Sequence, residues 1–308
     1  MKGNQLPVQS IPYVTFLGIL FGTSLIASRF SVGQFEPSTY IALRLILASL
    51  GYICIYLFSV RGRKWPTDRN LWRHGALLGV FGTAVPMNFI VMSLQYQSSG
   101  MTSILITLAP AITVVLAHFF LPEEPLTGRK IVGIAMALSG ALLLVLLGET
   151  GLADISQSSS IGYVLVFTAM VCGSATTVYA RKFMKDLDTI QVASVRIFVA
   201  ALVVIPYSAL VAGFDLSRVD QQGYLALGWA SLAGTFLAMM IAFYNIQRFG
   251  ATAAAMTAYV IPVVASIGGY LLLDEQITKG MLAGMSLIVI GIAIINQREK
   301  PIDLVDNV

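Results

Sequence analysis

Two arginines, Arg44 and Arg196, lie inside long apolar stretches of the sequence and are 152 positions apart. A charged side chain in an apolar phase costs about 2.5–3.5 kcal/mol even on the more lenient scales, so it normally faces protein or water and has a partner. One interpretation is that each guanidinium attracts the carboxylate of a small substrate. The other is that each side chain reaches back to a polar surface or binds carbonyl oxygens at a neighbouring helix end.

Other polar residues in apolar stretches are further candidates for a binding site. Asn88 follows Pro86 by two positions, and a proline leaves one carbonyl of its helix without a hydrogen bond. Asn88 either contacts the substrate or a proton, or it forms a hydrogen bond between helices. Five more residues would line the same cavity unless they bond to their own helices: Thr102, Ser103, Thr107, Thr257 and Tyr259.

Prolines within apolar stretches are the candidate hinges. One stretch of the sequence occurs twice, at residues 95–133 and 247–284. Pro110 and Pro262 occupy equivalent positions of this duplicated stretch, and each removes one backbone hydrogen bond and kinks its helix. Together with Pro86, they either let one half of the protein rock against the other or form static packing kinks.

Each copy of the duplicated stretch also contains an acidic pair after its proline, Glu123 with Glu124 and Asp274 with Glu275. Carboxylates suit the positive end of a following helix, and this structural interpretation is favoured here. A latch that closes a transport path is the other interpretation.

The composition places these residues in a membrane. Hydrophobic residues make up 57% of the 308 positions and charged residues 11%, against about 45–50% and about 25% in soluble domains. Lipid offers backbone groups no hydrogen-bond partners, so apolar segments of about 20 residues must be helices. Ten such segments are predicted, at about 11–29, 38–60, 72–94, 98–120, 128–147, 161–180, 189–211, 222–244, 251–272 and 280–296.

The two halves of the sequence are copies of each other. Equivalent residues recur at an offset of 151 or 152, including Arg44 with Arg196 and the pairs Gly82-Thr83 and Gly234-Thr235. Five spans in each half place the copies upside down relative to one another, as in many secondary transporters. We therefore predict an all-α membrane protein with ten transmembrane helices in a 5+5 inverted repeat. Its parts are residues 11–147, residues 161–296 and a cytoplasmic tail, 297–308.

Lys and Arg predict the orientation. With a cytoplasmic N-terminus, fourteen of the nineteen basic residues lie on the inner side and three on the outer side, as the positive-inside rule requires. Both termini are therefore predicted to be cytoplasmic. The basic loop at 61–73 is expected to face anionic lipid headgroups, not nucleic acid.

Phosphate-binding, dinucleotide, zinc-protease and C-x-x-C motifs are absent from the sequence. No cofactor, metal or ATP-driven step is therefore predicted, and the chain is not expected to be an enzyme. An intramembrane lipid-modifying enzyme would need several ionisable residues on one face, and the spans offer His118 besides the arginines. A scaffold or receptor would leave the inverted duplication without a reason.

The chain resembles the EamA-type branch of the drug/metabolite transporter superfamily. The resemblance rests on the ten spans, the arginine of the second span, the small-residue fourth span with its proline, and the acid-x-x-Thr before a Gly-rich fifth span. It implies export of small metabolites, such as amino acids or related amphipathic compounds, through a cavity between the halves. Sugars, nucleosides and organic cations are the alternative substrates. A monomer in the plasma membrane is expected, driven by the substrate gradient or by proton exchange.

Overall fold

The computed structural model describes residues 8–58, 65–122, 124–153, 160–184, 187–249 and 256–296. Within these ranges the regular structure is helical, apart from one isolated bridge between Val32 and Phe35. Glu123 and the predicted tail, 297–308, lie outside the described residues. The prediction of an all-α protein is confirmed for the described residues.

Thirteen α-helices and two π-helical turns follow one another in the described ranges. They are α1 (Ile11–Phe30), α2 (Pro37–Phe58), α3 (Arg69–Gly79), the first π-turn (Val80–Ala84), α4 (Val85–Ser93), α5 (Ser99–Ile106), α6 (Ala109–Phe120), α7 (Gly128–Leu146), α8 (Ile161–Phe183), α9 (Thr189–Val211), α10 (Gln221–Ser231), the second π-turn (Leu232–Leu237), α11 (Ala238–Phe249), α12 (Thr257–Leu273) and α13 (Lys279–Asn296).

Nine helical stretches of the described residues are long and apolar enough to cross a membrane. Several of them combine two of these helices, as in Arg69–Ser93, Ser99–Phe120 and Gln221–Ala242. The ninth predicted span corresponds to α12, an apolar helix of 17 residues. The chain is a multi-pass membrane protein, and the count of ten spans remains a prediction.

Side-chain caps set the starts of several helices. Asp68, Ser98, Asp188 and Asp220 each accept a hydrogen bond from a backbone N–H of the first turn that follows. Such caps satisfy donors that have no partner inside the helix. They explain why long apolar segments begin at polar residues.

The prolines act differently in the two copies of the duplicated stretch. Pro110 is the second residue of α6, directly after a break at Thr107 and Leu108 that separates α5 from α6. Pro262 lies inside α12, which continues through it. The related spans are therefore interrupted in the first copy and continuous in the second.

The helix ends meet in two groups. One group contains the ends of α1, α4, α7 and α12 with the start of α5; for example, the Ser98 N–H donates to Thr150 O at 2.8 Å and the Gln276 N–H to Gly151 O at 2.8 Å. We call this the predicted outer end. The other, the predicted inner end, brings the start of α3 to the end of α8, where His74 Nδ1 lies 2.7 Å from the Tyr179 hydroxyl.

Four clusters of buried side chains form the core of the described residues, and two of them are large. The larger is built mainly from α2 and α9 and includes Tyr40, Ile41, Leu45 and Tyr52, all at most 1% exposed. The second joins α5 to α7 and α13. Large apolar side chains such as Leu210, 87% exposed, face outward, as expected of a surface in contact with lipid.

Candidate functional site

Arg44 lies in the first half of α2 and is held by hydroxyl groups. Its Nε donates to Thr235 Oγ1 at 2.6 Å, Nη1 to Ser28 Oγ at 3.2 Å and Nη2 to Ser24 Oγ at 2.8 Å. The residue is 9% exposed. Three contacts of this kind fix the plane of the guanidinium, whose fork suits a carboxylate.

The guanidinium lines a cavity of about 250 Å³. Helices α1, α2, α4, α5 and α12 contribute its wall, which is mostly apolar: Phe21, Ser24, Leu25, Ser28, Ile41, Arg44, Met87, Ile90, Val91, Ile106 and Ile261. Binding pockets for drug-sized ligands measure about 300–1,000 Å³. This cavity therefore suits a smaller, partly apolar molecule.

No carboxylate forms an ion pair with Arg44 or Arg196 within the described part of the chain. A buried charge is normally paired, because its removal from water is costly. The three serine and threonine hydroxyls around Arg44 disperse its charge without neutralising it. The cavity can thus accept a ligand with a negative group.

Arg196, on α9, has a different set of partners. It donates through Nη2 to the carbonyl oxygen of Gly82 and through Nε to Thr83 Oγ1. Pro86, four positions after Gly82, has no N–H to donate to this carbonyl. The guanidinium donates to this carbonyl in its place.

The two arginines nevertheless have one kind of contact in common. Each donates through Nε to a threonine of a π-turn in the other half of the sequence, Arg44 to Thr235 and Arg196 to Thr83. Each threonine in turn donates to the carbonyl five residues before it, on Ala230 at 3.0 Å or Leu78 at 3.4 Å. π-Turns are rare and frequent at functional sites.

Asn88 lies in a second, wider cavity of about 630 Å³ between the start of α2, α4 and the end of α9. Its Nδ2 donates to Ala84 O of its own helix at 2.8 Å. The position equivalent to Ala84 in the second half is Phe236, whose ring packs on Tyr52 with centroids 5.3 Å apart. A small residue thus leaves a space in the first half that an aromatic ring occupies in the second.

The remaining predicted site residues are not among those that line these two cavities. Ser103 and Thr107 donate to carbonyls of their own helix, at 2.5 Å each, and Thr102 accepts from Gln97 at 3.0 Å. Tyr259 accepts from Asn296 at 3.4 Å. The Thr257 hydroxyl is buried and has no partner among the described residues.

Sequence reasoning overlooked the hydroxyls that surround Arg44. Ser24 and Ser28 lie four positions apart on one face of α1, a spacing that was visible in the sequence. Thr83 and Thr235 were identified as a repeated pair, and the shared offset of 152 links them to the arginines. Which helix faces which could not be read from that offset.

Replacing Thr235 with Val is expected to destabilise the protein by about 1.5–3 kcal/mol, the value of a hydrogen bond to a charged group. The change keeps the side-chain shape and leaves Arg44 Nε without its acceptor. Thermal unfolding of the purified protein measures the effect. Thr168→Val is the matched control, because among the described residues that hydroxyl bonds to its own helix at Val164. Equal stability of the two variants would contradict the prediction.

Comparison with known proteins identifies the family of this chain. The EamA-like transporter family matches twice, at residues 10–146 and 160–297. The chain is 28% identical over 285 residues to an uncharacterized transporter of Archaeoglobus fulgidus, covering 92% of this chain and 95% of that protein. It is 26% identical over 284 residues to the inner membrane transporter YedA of Escherichia coli K12, covering 91% and 88%.

A solved crystal structure shares the fold. The two structures align with a TM-score of 0.62 over 93% of this chain and 97% of the other, at 22% identity. The similar proteins are named as transporters, not enzymes. The chain belongs to the EamA-like transporter family.

Proposed function

We propose that the protein is a secondary transporter that exports small organic metabolites carrying a carboxylate, such as amino acids or related amphipathic compounds. Ten spans in a 5+5 inverted repeat would cross the plasma membrane with both termini in the cytoplasm. The observation that carries the proposal is the Arg44 guanidinium, buried in an apolar cavity without a carboxylate partner in the described residues.

The substrate class follows from the charge and the size of this cavity. A carboxylate beside Arg44 would supply the counter-charge that the serine and threonine hydroxyls do not. The apolar wall formed by residues such as Leu25 and Ile90 would contact the rest of the molecule. A zwitterion with a small apolar side chain satisfies both requirements.

Alternating access is supported by unequal packing of equivalent helices. A Cβ added to Gly22 of α1 would lie 2.7 Å from the Val264 side chain of α12. At the equivalent Gly173 of α8, an added Cβ would meet nothing within 4 Å. The interface that α1 makes is therefore tight and the corresponding one at α8 is loose, as expected when a carrier is closed on one side.

The substrate gradient or exchange with protons would supply the energy. Because each half offers the other its pseudo-symmetric partner, a single chain is sufficient, and a monomer is proposed. The basic residues concentrated on one side favour the stated orientation.

Counterflow into liposomes tests the proposal. Purified protein is reconstituted into vesicles preloaded with an unlabelled amino acid, and the same compound is added outside in labelled form. A transient accumulation of label without any gradient is expected, because a carrier exchanges its substrate. A further response to an imposed pH gradient would indicate proton coupling.

The controls are vesicles without protein and vesicles loaded with the carboxamide of the same amino acid. The amide keeps the size and shape of the substrate and lacks its negative charge, so it should not exchange. No counterflow with any amino acid by folded protein would overturn the proposed substrate class.

A further inference from the structure

A buried carboxylate joins three parts of the chain at the predicted outer end. We propose that Glu275 is a latch that keeps this end closed and must release its partners before the cavity opens to the outside. The inference rests on the alternating access proposed above and concerns residues that do not line the Arg44 cavity.

The first set of contacts binds Glu275 to the start of α5. One carboxylate oxygen accepts from the Ser99 N–H at 2.7 Å. The other accepts from Ser99 Oγ at 2.7 Å and from the Gly100 N–H at 3.3 Å. The side chain is 4% exposed, so these bonds are shielded from water. The sequence-based interpretation assigned this acid to the helix that follows it, and the structure corrects this: Glu275 caps α5, a helix of the other half.

The second contact binds Glu275 to α1. Arg29 Nε lies 3.7 Å from Glu275 Oε1. The same guanidinium donates through Nη1 to Leu94 O, just after α4, at 2.6 Å. One carboxylate and one guanidinium thereby join the ends of α1, α4 and α12 to the start of α5.

The backbone around Glu275 is shaped to place its side chain there. Asp274 ends α12 in the left-handed conformation, with φ of 53°, which Asp tolerates better than most residues. The Glu275 N–H then reaches back to Gly269 O at 3.2 Å, a carbonyl that also accepts from the Asp274 N–H. Gly269 leaves the necessary room, since a Cβ there would lie 2.7 Å from Ser99 Oγ and would overlap the Glu275 carboxylate.

The other half carries an equivalent pair in a different state. Arg181 and Glu124 correspond to Arg29 and Glu275 at offsets of 152 and 151, and they form an ion pair at the end of α8. Their side chains are 60% and 23% exposed, against 20% and 4% for Arg29 and Glu275. Exposed pairs contribute little, so the inner pair does not hold its end closed.

The contrast between the pairs indicates how they would act in a transport cycle. In this structure Glu275 of the outer pair is buried and bound to a helix start, while both residues of the inner pair are more exposed to solvent. Opening the outer end would expose Glu275, and closing the inner end would bury Glu124. The two pairs would then exchange environments as the halves exchange conformations.

Chemical labelling of a cavity residue tests the latch without any transport. Cys54→Ala and Cys172→Ala remove the native thiols, and Ile90→Cys places a reporter in the wall of the Arg44 cavity. A membrane-impermeant maleimide is applied to the outside of intact cells and, separately, to inside-out vesicles. Glu275→Ala is expected to raise the outside labelling rate about tenfold, because a hydrogen bond to a charged group contributes at least this factor.

Glu124→Ala is the matched control and should leave the outside rate unchanged. Glu275→Gln keeps an acceptor for Ser99 and loses the charge, so its effect should lie between wild type and Glu275→Ala. An increase confined to the inside-out vesicles would mean that Glu275 guards the other face and would overturn the assignment to the outer end. Wild-type labelling rates in folded Glu275→Ala would overturn the latch itself.

Ser99→Ala keeps the test decisive if Glu275→Ala does not fold, since it removes only the hydroxyl contact. A smaller increase in outside labelling is then expected, and unchanged rates in both Ser99→Ala and Glu275→Gln would overturn the proposal. Labelling does not depend on the substrate. Altered labelling together with absent counterflow would therefore support the latch and contradict the proposed substrate class, so the two proposals fail separately.

Discussion

Arg44→Gln is expected to weaken carboxylate binding about 10- to 100-fold, measured as the increase in the half-saturating concentration for counterflow. The estimate follows from about 1.5–3 kcal/mol for a charge-assisted hydrogen bond and 1.4 kcal/mol per factor of ten. The variant keeps a side-chain donor for Thr235 and removes the positive charge. Arg44→Lys should retain part of the affinity, because an ammonium keeps the charge but cannot make two parallel bonds.

Arg196 provides the matched comparison. Its guanidinium donates to the Gly82 carbonyl and to Thr83, so Arg196→Gln should lower stability more than it alters substrate affinity. Thermal unfolding is recorded for both variants with and without substrate. If the arginines affected affinity equally, or if folded Arg44→Gln bound the substrate as wild type does, the assignment of Arg44 to the substrate would be wrong.

The sequence indicated that the two arginines are candidates for the site and occupy equivalent positions, but not that their surroundings differ. Both lie in apolar stretches at one offset, so the pattern treats them alike. Their environments diverge because Pro86 frees a carbonyl for Arg196, whereas Ala238 occupies the corresponding position in the second half. Arg44 is held instead by the hydroxyls of Ser24 and Ser28 on α1. The copies also differ at Ala84 and Phe236, so the surroundings of the two arginines depend on more than one difference.

The contacts of Glu275 were beyond sequence reasoning for a geometric reason. Acids before a helix are common, and charge alone favours the helix that follows. Here Thr278 caps that helix, accepting from the Met281 N–H at 3.0 Å, which leaves Glu275 available to α5. The copies also differ by one residue between proline and acid, 13 positions from Pro262 to Glu275 and 14 from Pro110 to Glu124. Which helix start lies opposite Glu275 depends on how the helices pack, and the sequence pattern does not show that packing.

Small residues of α7 and α13 let these two helices approach until backbone lies against backbone. A Cβ added to Gly291 would lie 2.5 Å from Gly133 O, 2.6 Å from Ala137 N and 3.1 Å from Ala137 Cα. A Cβ on Gly140 would lie 2.8 Å from Gly284 O. Close approach through small residues is a main source of association between helices in lipid.

Gly291→Ala is therefore expected to destabilise the protein by about 1–3 kcal/mol, the usual cost of overpacking, and Gly291→Leu to prevent folding. Alanine has a higher helix propensity than glycine by up to about 1 kcal/mol, but this gain is smaller than the cost of moving two backbones apart. Gly173→Ala measures the gain in stability from helix propensity alone, because an added Cβ there meets nothing within 4 Å. Thermal unfolding should show opposite shifts for the two alanine variants, and a loss of equal size in both would mean that the α7–α13 contact is not what limits stability.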